Sequence, residues 1–456
     1  MNIPCNWSTC KLPLVAYFQE GPGLRKYQYR DKGIPFLNIR TLINESVDLS
    51  LCKFLDEDEV DQKYIHFLLN EGDLVCSTSG TLGKLATIKA SDLPLMLNTS
   101  VVRFRTLDQA VMLQRFLRLY LKSEGFLSQA RLASTGSAQV NIGPSHLATF
   151  DFSLPPLPEQ KRIADKLDSV LARVDACRDR LDRLPALLKR FRQSILTAAT
   201  SGRLTEDWRE QNAIGNESWH YPMIGNLVAI KNGRAFPSAD YADEGVRLIR
   251  PGNLHHSGSV QWSAKNTTHL PESYAREFPT FVLGKGELLM NLTAQSLKDD
   301  FLGRVCLKTD SVPALLNQRI CAFYSKSSSD IRPYLFVYFR SPVFRSYVET
   351  LDSGTLIKHM HTKQLLSHVI PVPTENEQTE IVRRVEILFA FADRLDARLA
   401  TARKQVGQLT PALLAKAFRG ELVAQDPADE PAAELLKRLA AQREAAPKAK
   451  RGRARA

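Results

Sequence analysis

The nearest approach to a phosphate-binding loop in this chain is Gly80-Thr-Leu-Gly83-Lys84. Such a loop needs Gly-x-x-x-x-Gly-Lys followed by Ser or Thr, so that backbone N–H groups cradle phosphate and a hydroxyl reaches magnesium. Here the glycines are too close and Leu85 follows the lysine, so the stretch reads as a polar turn. His359-Met-His361 and His255-His256 offer imidazoles but no third ligand of clear type at metal-site spacing. Asp56, Glu57, Asp58 and Glu59 are consecutive, as at a helix start or a solvated face, and do not form a separated acid/base pair. No Pro-Pro-aromatic methyltransferase motif occurs. Catalytic residues and metal ligands are therefore expected to be absent.

The polar loops carry a different chemistry. Amide and hydroxyl side chains read base edges, and Lys and Arg neutralise phosphates. The first half offers Arg40, Ser77, Thr78, Ser79, Lys84, Ser137, Gln139 and Asn141. The second offers Arg250, Asn253, Asn291, Thr293, Gln295, Lys298, Lys358, His359 and His361. These are the candidate DNA-contacting residues, and each also fits an ordinary surface turn. With 61 Lys and Arg against 49 Asp and Glu, a net charge of +12 favours a polyanionic partner.

What positions these loops is written twice. Shifted by 218, Gly136 meets Gly354, Leu147 meets Leu365, Pro155 meets Pro373 and Glu159-Gln160 meets Glu377-Gln378. Gln160 to Gly202 and Gln378 to Gly420 both span 42 residues without insertion. Nearer each start the shift drifts: Gly33 meets Gly245 at 212, Gly72 meets Gly286 at 214, and Asn98 meets Asn317 at 219. Each half thus has a front part that diverges and a rear part of fixed length. The segment before Gly21, around Trp7 and Trp219, matches poorly, which leaves the first domain's starting edge open.

The rear parts keep an apolar track in alternating steps of four and three. It runs through Ile163, Leu167, Val170, Val174, Leu181, Leu184 and Leu188, and again through Ile381, Val385, Leu388, Leu395, Leu399, Val406 and Leu409, with Cys177, Ala392 and Ala402 filling the steps between. Charges such as Arg173, Arg178, Asp179 and Asp182 lie between, as on a helix that supercoils with a partner. The alternative is that each helix packs on its own domain. If the two helices pair about a pseudo-two-fold axis, they run antiparallel. Pro185 and Pro411 fall inside the tracks and predict kinks or breaks there. Proline-rich approaches precede each helix, and Gly202 and Gly420 suit left-handed C-caps.

The front parts look mixed. Ile34–Ile39, Asp73–Cys76, Val101–Phe104 and Glu287–Met290 read as strands, and Asp108–Lys122 and Ile331–Thr350 as helices. The expected fold class is α+β: two mixed α/β domains in tandem, separated by long helices pairing as an antiparallel coiled coil. The expected bounds are 1–150, a helical spacer 151–211, a second domain 212–370, a second spacer 371–425, and 426–456 as a short helix with a basic, disordered tail ending in APKAKRGRARA. Seven cysteines without a C-x-x-C pair, no secretory signal and no apolar run of membrane length predict a cytoplasmic protein.

These motifs resemble the specificity subunit of type I restriction-modification enzymes. The likeness is carried by Leu-Pro-Pro-Leu-Pro-Glu-Gln-Lys-Arg-Ile (154–163) and Ser-Gly-Arg-Leu-Thr-Glu-Asp-Trp (201–208), and by Pro-Val-Pro-Thr-Glu-Asn-Glu-Gln (371–378) and Ala-Phe-Arg-Gly-Glu-Leu (417–422). The resemblance implies two target recognition domains, each reading half of a bipartite double-stranded DNA target. It implies that the helices set the unread gap and dock two methylation subunits, the track residues above being the docking and pairing set. S-adenosylmethionine, ATP and magnesium would then belong to methylation and restriction subunits, with no cofactor on this chain. Two other readings stand beside it: a coiled-coil scaffold with two protein-binding heads, and an enzyme whose site escapes motif search.

Overall fold

The computed structural model describes residues 3–134, 142–215, 218–297, 300–351 and 358–445. The chain divides into two units, the first formed by Met1–Arg180 with Ala402–Ala456 and the second by Leu181–Thr401.

The first unit is organised by a four-stranded sheet of β1 (Ala16–Glu20), β2 (Leu74–Ser77), β3 (Leu85–Thr87) and β4 (Val101–Thr106) in the order β1-β4-β2-β3. Every neighbouring pair is antiparallel. Side chains alternate across a strand, and here the alternation divides two cores. Leu74, Cys76, Val102 and Phe104 join one apolar cluster, while Val75, Ala86 and Val101 join another. That explains why β2 is buried at every position: both of its faces are covered. Helices Gln114–Leu121 and Glu124–Ala133 bury Phe116, Leu117, Tyr120 and Phe126 in the first cluster.

The second unit repeats this arrangement with β5 (Val228–Asn232), β6 (Leu288–Asn291), β7 (Val305–Leu307) and β8 (Ile320–Ser325), in the order β5-β8-β6-β7. Leu288, Met290, Cys321 and Phe323 face one core, and Leu289, Cys306, Ile320 and Ala322 the other. A further four-stranded sheet, which includes Val246–Ile249 paired parallel with Ala314–Leu316, extends this unit. Helices Arg332–Phe339 and Pro342–Thr350 take the places of the two first-unit helices. Gly33 and Gly245 both have φ near +130°, at +129° and +128°. A Cβ at either would run into the backbone carbonyl of Leu55 or Leu270, so only glycine fits both copies.

Two 44-residue helices, Leu157–Thr200 and Glu375–Phe418, give each unit a share of both. In the first unit Ile163, Ala164, Leu167 and Leu171 share a core with Leu414 and Ala417. In the second, Ile195, Leu196 and Ala199 share one with Ile381 and Val385. The antiparallel sense is direct in the second unit, where Arg192 pairs with Asp393 and Asp396 at 2.6 and 2.7 Å while Arg209, past the end of the first helix, reaches Glu377 at the start of the second.

The expected helix breaks at Pro185 and Pro411 do not occur, since both helices are continuous through them. An interior proline costs about 3 kcal/mol. The helix stretches on either side, anchored in apolar cores, offset that cost. Both helices are followed by the expected left-handed glycines, Gly202 at φ +78° and Gly420 at +73°. The helix Ala432–Ala445 buries Ala432, Leu435 and Leu439 in the first-unit core. The basic tail beyond it lies outside the described residues. No described helix is long and apolar enough to cross a membrane.

Candidate nucleic-acid interface

Strand direction decides where the polar loops meet. In the first unit Glu20 pairs with Val102, Ser77 with Val101 and Cys76 with Leu85. The turns after β1, between β2 and β3, and before β4 therefore leave from one end of the sheet. The same holds in the second unit, where Asn232 pairs with Cys321, Asn291 with Ile320 and Met290 with Val305.

The loops read from sequence are tied together at these ends by matching backbone bonds. Ile142 N donates to Thr78 O at 3.0 Å, and Met360 N donates to Leu292 O at 2.9 Å. In the second unit the contact becomes a short ribbon, with Thr293 opposite His359 and Ala294 opposite Lys358. Thr293, Gln295, Lys358, His359 and His361 thus gather at one edge, with Gln295 and both histidines exposed. The His359 and His361 rings lie 4.8 Å apart, and partial desolvation of the otherwise exposed His359 ring, followed by the charge of His361, holds it below the usual histidine range.

Other candidates have internal partners. Ser77 and Thr78 are buried. The Ser77 hydroxyl donates to Thr81 O at 2.5 Å and accepts from Lys84 N at 2.9 Å, closing the loop. The Lys84 ammonium donates to Ile39 O at 3.2 Å, which brings the exposed Arg40 turn to this loop, where Ser79 is half-buried. Asn253 and Asn291 are fully buried, and their amides donate to backbone carbonyls of Gln261 and Asn266, and of Thr293 and Phe301. Arg250 is exposed, 5.5 Å from the Tyr241 ring, and bonds Thr268 at 3.0 Å. Ser137, Gln139, Asn141 and Lys298 lie outside the described residues. Among the described residues no cluster of three metal-ligating side chains occurs.

Along the long helices, Ile163, Leu167, Val174, Ile381, Val385 and Leu399 are buried; Val170, Leu181, Leu188, Leu388, Leu395 and Val406 are half-buried. Leu184 and Leu409 remain exposed, at 38% and 44%. In the second unit Leu187, Phe191, Ile387 and Phe391 are exposed as well.

The repeated Glu-Gln motif has a chemical basis that sequence reading missed. Gln160 and Gln378 donate to the proline carbonyls before each helix, Pro155 O at 3.0 Å and Pro373 O at 2.8 Å. Glu159 accepts from the Trp7 indole at 3.0 Å and the Gln425 amide at 2.6 Å. Glu377 accepts from the Trp219 indole at 3.0 Å, Thr205 at 2.7 Å and Arg209 at 2.5 Å. Each carboxylate joins its own domain's first tryptophan to the segment following the other long helix. Trp7 and Trp219 stand 212 apart and their glutamates 218 apart, so the correspondence was hidden by drift.

Glu159 meets neutral donors, and burial raises its carboxyl above the usual value, with Gln425 and Trp7 pulling it back. A folded-state pKa raised above the unfolded one gives a stabilisation present at low pH and lost as pH rises through the folded value. The stability difference between wild type and Glu159→Gln should therefore move in favour of wild type as pH falls from neutral toward the ordinary glutamate range. Urea denaturation at both pH values checks this; a pH-independent difference would count against it.

The family model for the type I restriction modification DNA specificity domain matches the chain twice, over residues 4–186 and 216–401. The specificity subunit of the type I restriction enzyme EcoKI of Escherichia coli (strain K12) is 28% identical over 461 residues, covering 97% of each chain. That of EcoDI of Escherichia coli is 30% identical over 343 residues, covering 72% of this chain and 76% of the relative. Among solved structures, the HsdS subunit from Thermoanaerobacter tengcongensis shares the fold with a TM-score of 0.60 at 19% identity, over 92% of this chain and 99% of that one. With two copies of the matching domain in tandem, the chain belongs to the type I restriction modification DNA specificity family.

Proposed function

We propose that this chain is the DNA sequence-specificity subunit of a type I restriction-modification complex and performs no catalysis itself. Each unit reads one half of a bipartite target through its loop-bearing sheet end. The observation that carries this reading is the duplicated loop end: the same strand order and the same interloop backbone bond present different side chains. Matching frames with unlike polar surfaces suit two different half-sites. Two methylation subunits bring S-adenosylmethionine, and restriction subunits bring ATP and magnesium. Leu184, Leu187 and Phe191, spaced i, i+3 and i+7 on one long helix, and Ile387 and Phe391, spaced i and i+4 on the other, are exposed. Such spacing puts apolar groups on one helix face, which supports docking of methylation subunits there.

Sequencing of methylated adenines in a host carrying this chain and its partners should return one asymmetric motif with an unread gap. Methyl transfer or cleavage by the purified chain alone, given DNA, magnesium and S-adenosylmethionine, would refute the assignment. The gap is separately testable. Four residues inserted near Arg178 lengthen that helix by about 6 Å. The methylated motif should then keep both half-sites and change its gap; altered half-site bases with an unchanged gap would contradict the spacer role.

A further inference from the structure

The segment after β1 was not among the polar loops read from sequence. Leu24-Arg-Lys-Tyr-Gln-Tyr-Arg-Asp-Lys32 holds four cations and one acid, Asp31. Tyr27 is 80% exposed, an unusual position for a ring of this size. The exposure is held in place by structure. Gln28 is buried and donates to Glu59 at 2.9 Å and Tyr64 at 3.2 Å, while its carbonyl oxygen accepts from Arg25 N at 2.8 Å. Tyr29 turns inward onto the Phe36 ring at 5.2 Å. With residues 28 and 29 fixed inward, Tyr27 is presented outward between Arg25 and Lys26 on one side and Arg30 on the other. Arg30 donates to the carbonyls of Tyr27 and Tyr29, which stiffens the turn. Among the described residues, Arg25, Lys26 and Lys32 are exposed and take part in no ion pair.

The place of this segment in the first unit matters as much as its composition. Gly21 lies so close to the Asn98 backbone that a Cβ there would clash with it. Gly23 approaches Thr99, and Ser100 O accepts from Thr78 N at 3.3 Å. The segment therefore leaves the sheet at the end that carries the Ser77–Lys84 loop.

We infer that Arg25, Lys26 and Lys32 contact DNA phosphates and that Tyr27 packs against a backbone sugar between them, beside the first unit's reading loops. This rests on the reading of that unit as a DNA reader. Unpaired cations flanking an outward aromatic on a stiff turn match the chemistry of a nucleic-acid backbone, which offers regularly spaced anions beside flat apolar faces. Phosphate contacts fix position and carry no sequence information, so the segment sets affinity while the neighbouring loops set specificity.

The test uses the complete methylation complex and two labelled duplexes, one with the target and one scrambled. Combining Arg25→Ala, Lys26→Ala and Lys32→Ala should weaken binding to both and lower the slope of log K against log salt by about 3. The methylated sequence should be unchanged. Tyr27→Ala should weaken target binding severalfold, with Tyr27→Phe retaining most of it. All four side chains are exposed, so thermal unfolding should match wild type. An unchanged salt slope in a folded, assembled variant overturns the proposal, as does a loss traced to failed assembly with the methylation subunits. A wild-type complex without salt-dependent DNA affinity would overturn the underlying DNA-reading assignment itself.

Discussion

Glu377→Ala should destabilise the second unit by about 3–5 kcal/mol, the range for removing one partner of a buried ion pair. Glu377 is fully buried and Arg209 nearly so, and the guanidinium is left without its carboxylate when the side chain is truncated. Thr205 and the Trp219 indole lose their acceptor in the same step. Glu159→Ala in the first unit should cost less, about 1–3 kcal/mol, because Trp7 and Gln425 are neutral donors. Replacing Glu377 and Arg209 together by methionine should recover part of the loss, since the uncompensated charge disappears. Denaturant unfolding of the four chains decides the matter. A loss below about 1 kcal/mol for Glu377→Ala, or no recovery in the double variant, would mean that the pair does not hold this junction together.

How much was legible in the sequence follows from the range over which each signal acts. The long helices, their apolar tracks and the glycines behind them, Gly202 and Gly420, rest on local periodicity and backbone conformation, so they could be read directly. Gly33 and Gly245 aligned for a reason that only the folded chain shows, the carbonyls of Leu55 and Leu270. Pro185 and Pro411 were read by a local rule, but packing at both ends of each helix outweighs the local penalty. The tryptophan–glutamate junctions join residues 152 and 158 positions apart, and no periodic pattern records such a contact. Among the candidate interface residues, composition does not separate an amide that faces solvent from one that braces a turn. Gln295 is of the first kind, and Asn253 and Asn291 of the second. The Arg25–Lys32 segment was passed over because its cations interleave with aromatics that also read as core.

Exchanging residues 1–150 for the corresponding domain of a relative with a different target should change one half of the methylated motif and leave the other half and the gap intact. Independence is expected because each sheet end, with its loops, is built within its own unit: the interloop bonds Ile142 to Thr78 and Met360 to Leu292 are both internal. The effect is a switch in sequence preference. A specific site exceeds non-specific binding by roughly 10³–10⁷, so the original half-site should disappear from the methylome. The exchange must respect one junction. Trp7 enters with the donor domain while Glu159 and Gln425 remain, so the donor must supply a tryptophan at the matching position or the first unit loses a buried hydrogen bond. Long-read methylation mapping of a host carrying the chimera and unaltered partners gives the answer. If both half-sites change together, the two ends do not read independently, and the duplicated loop end would have to serve one shared recognition event.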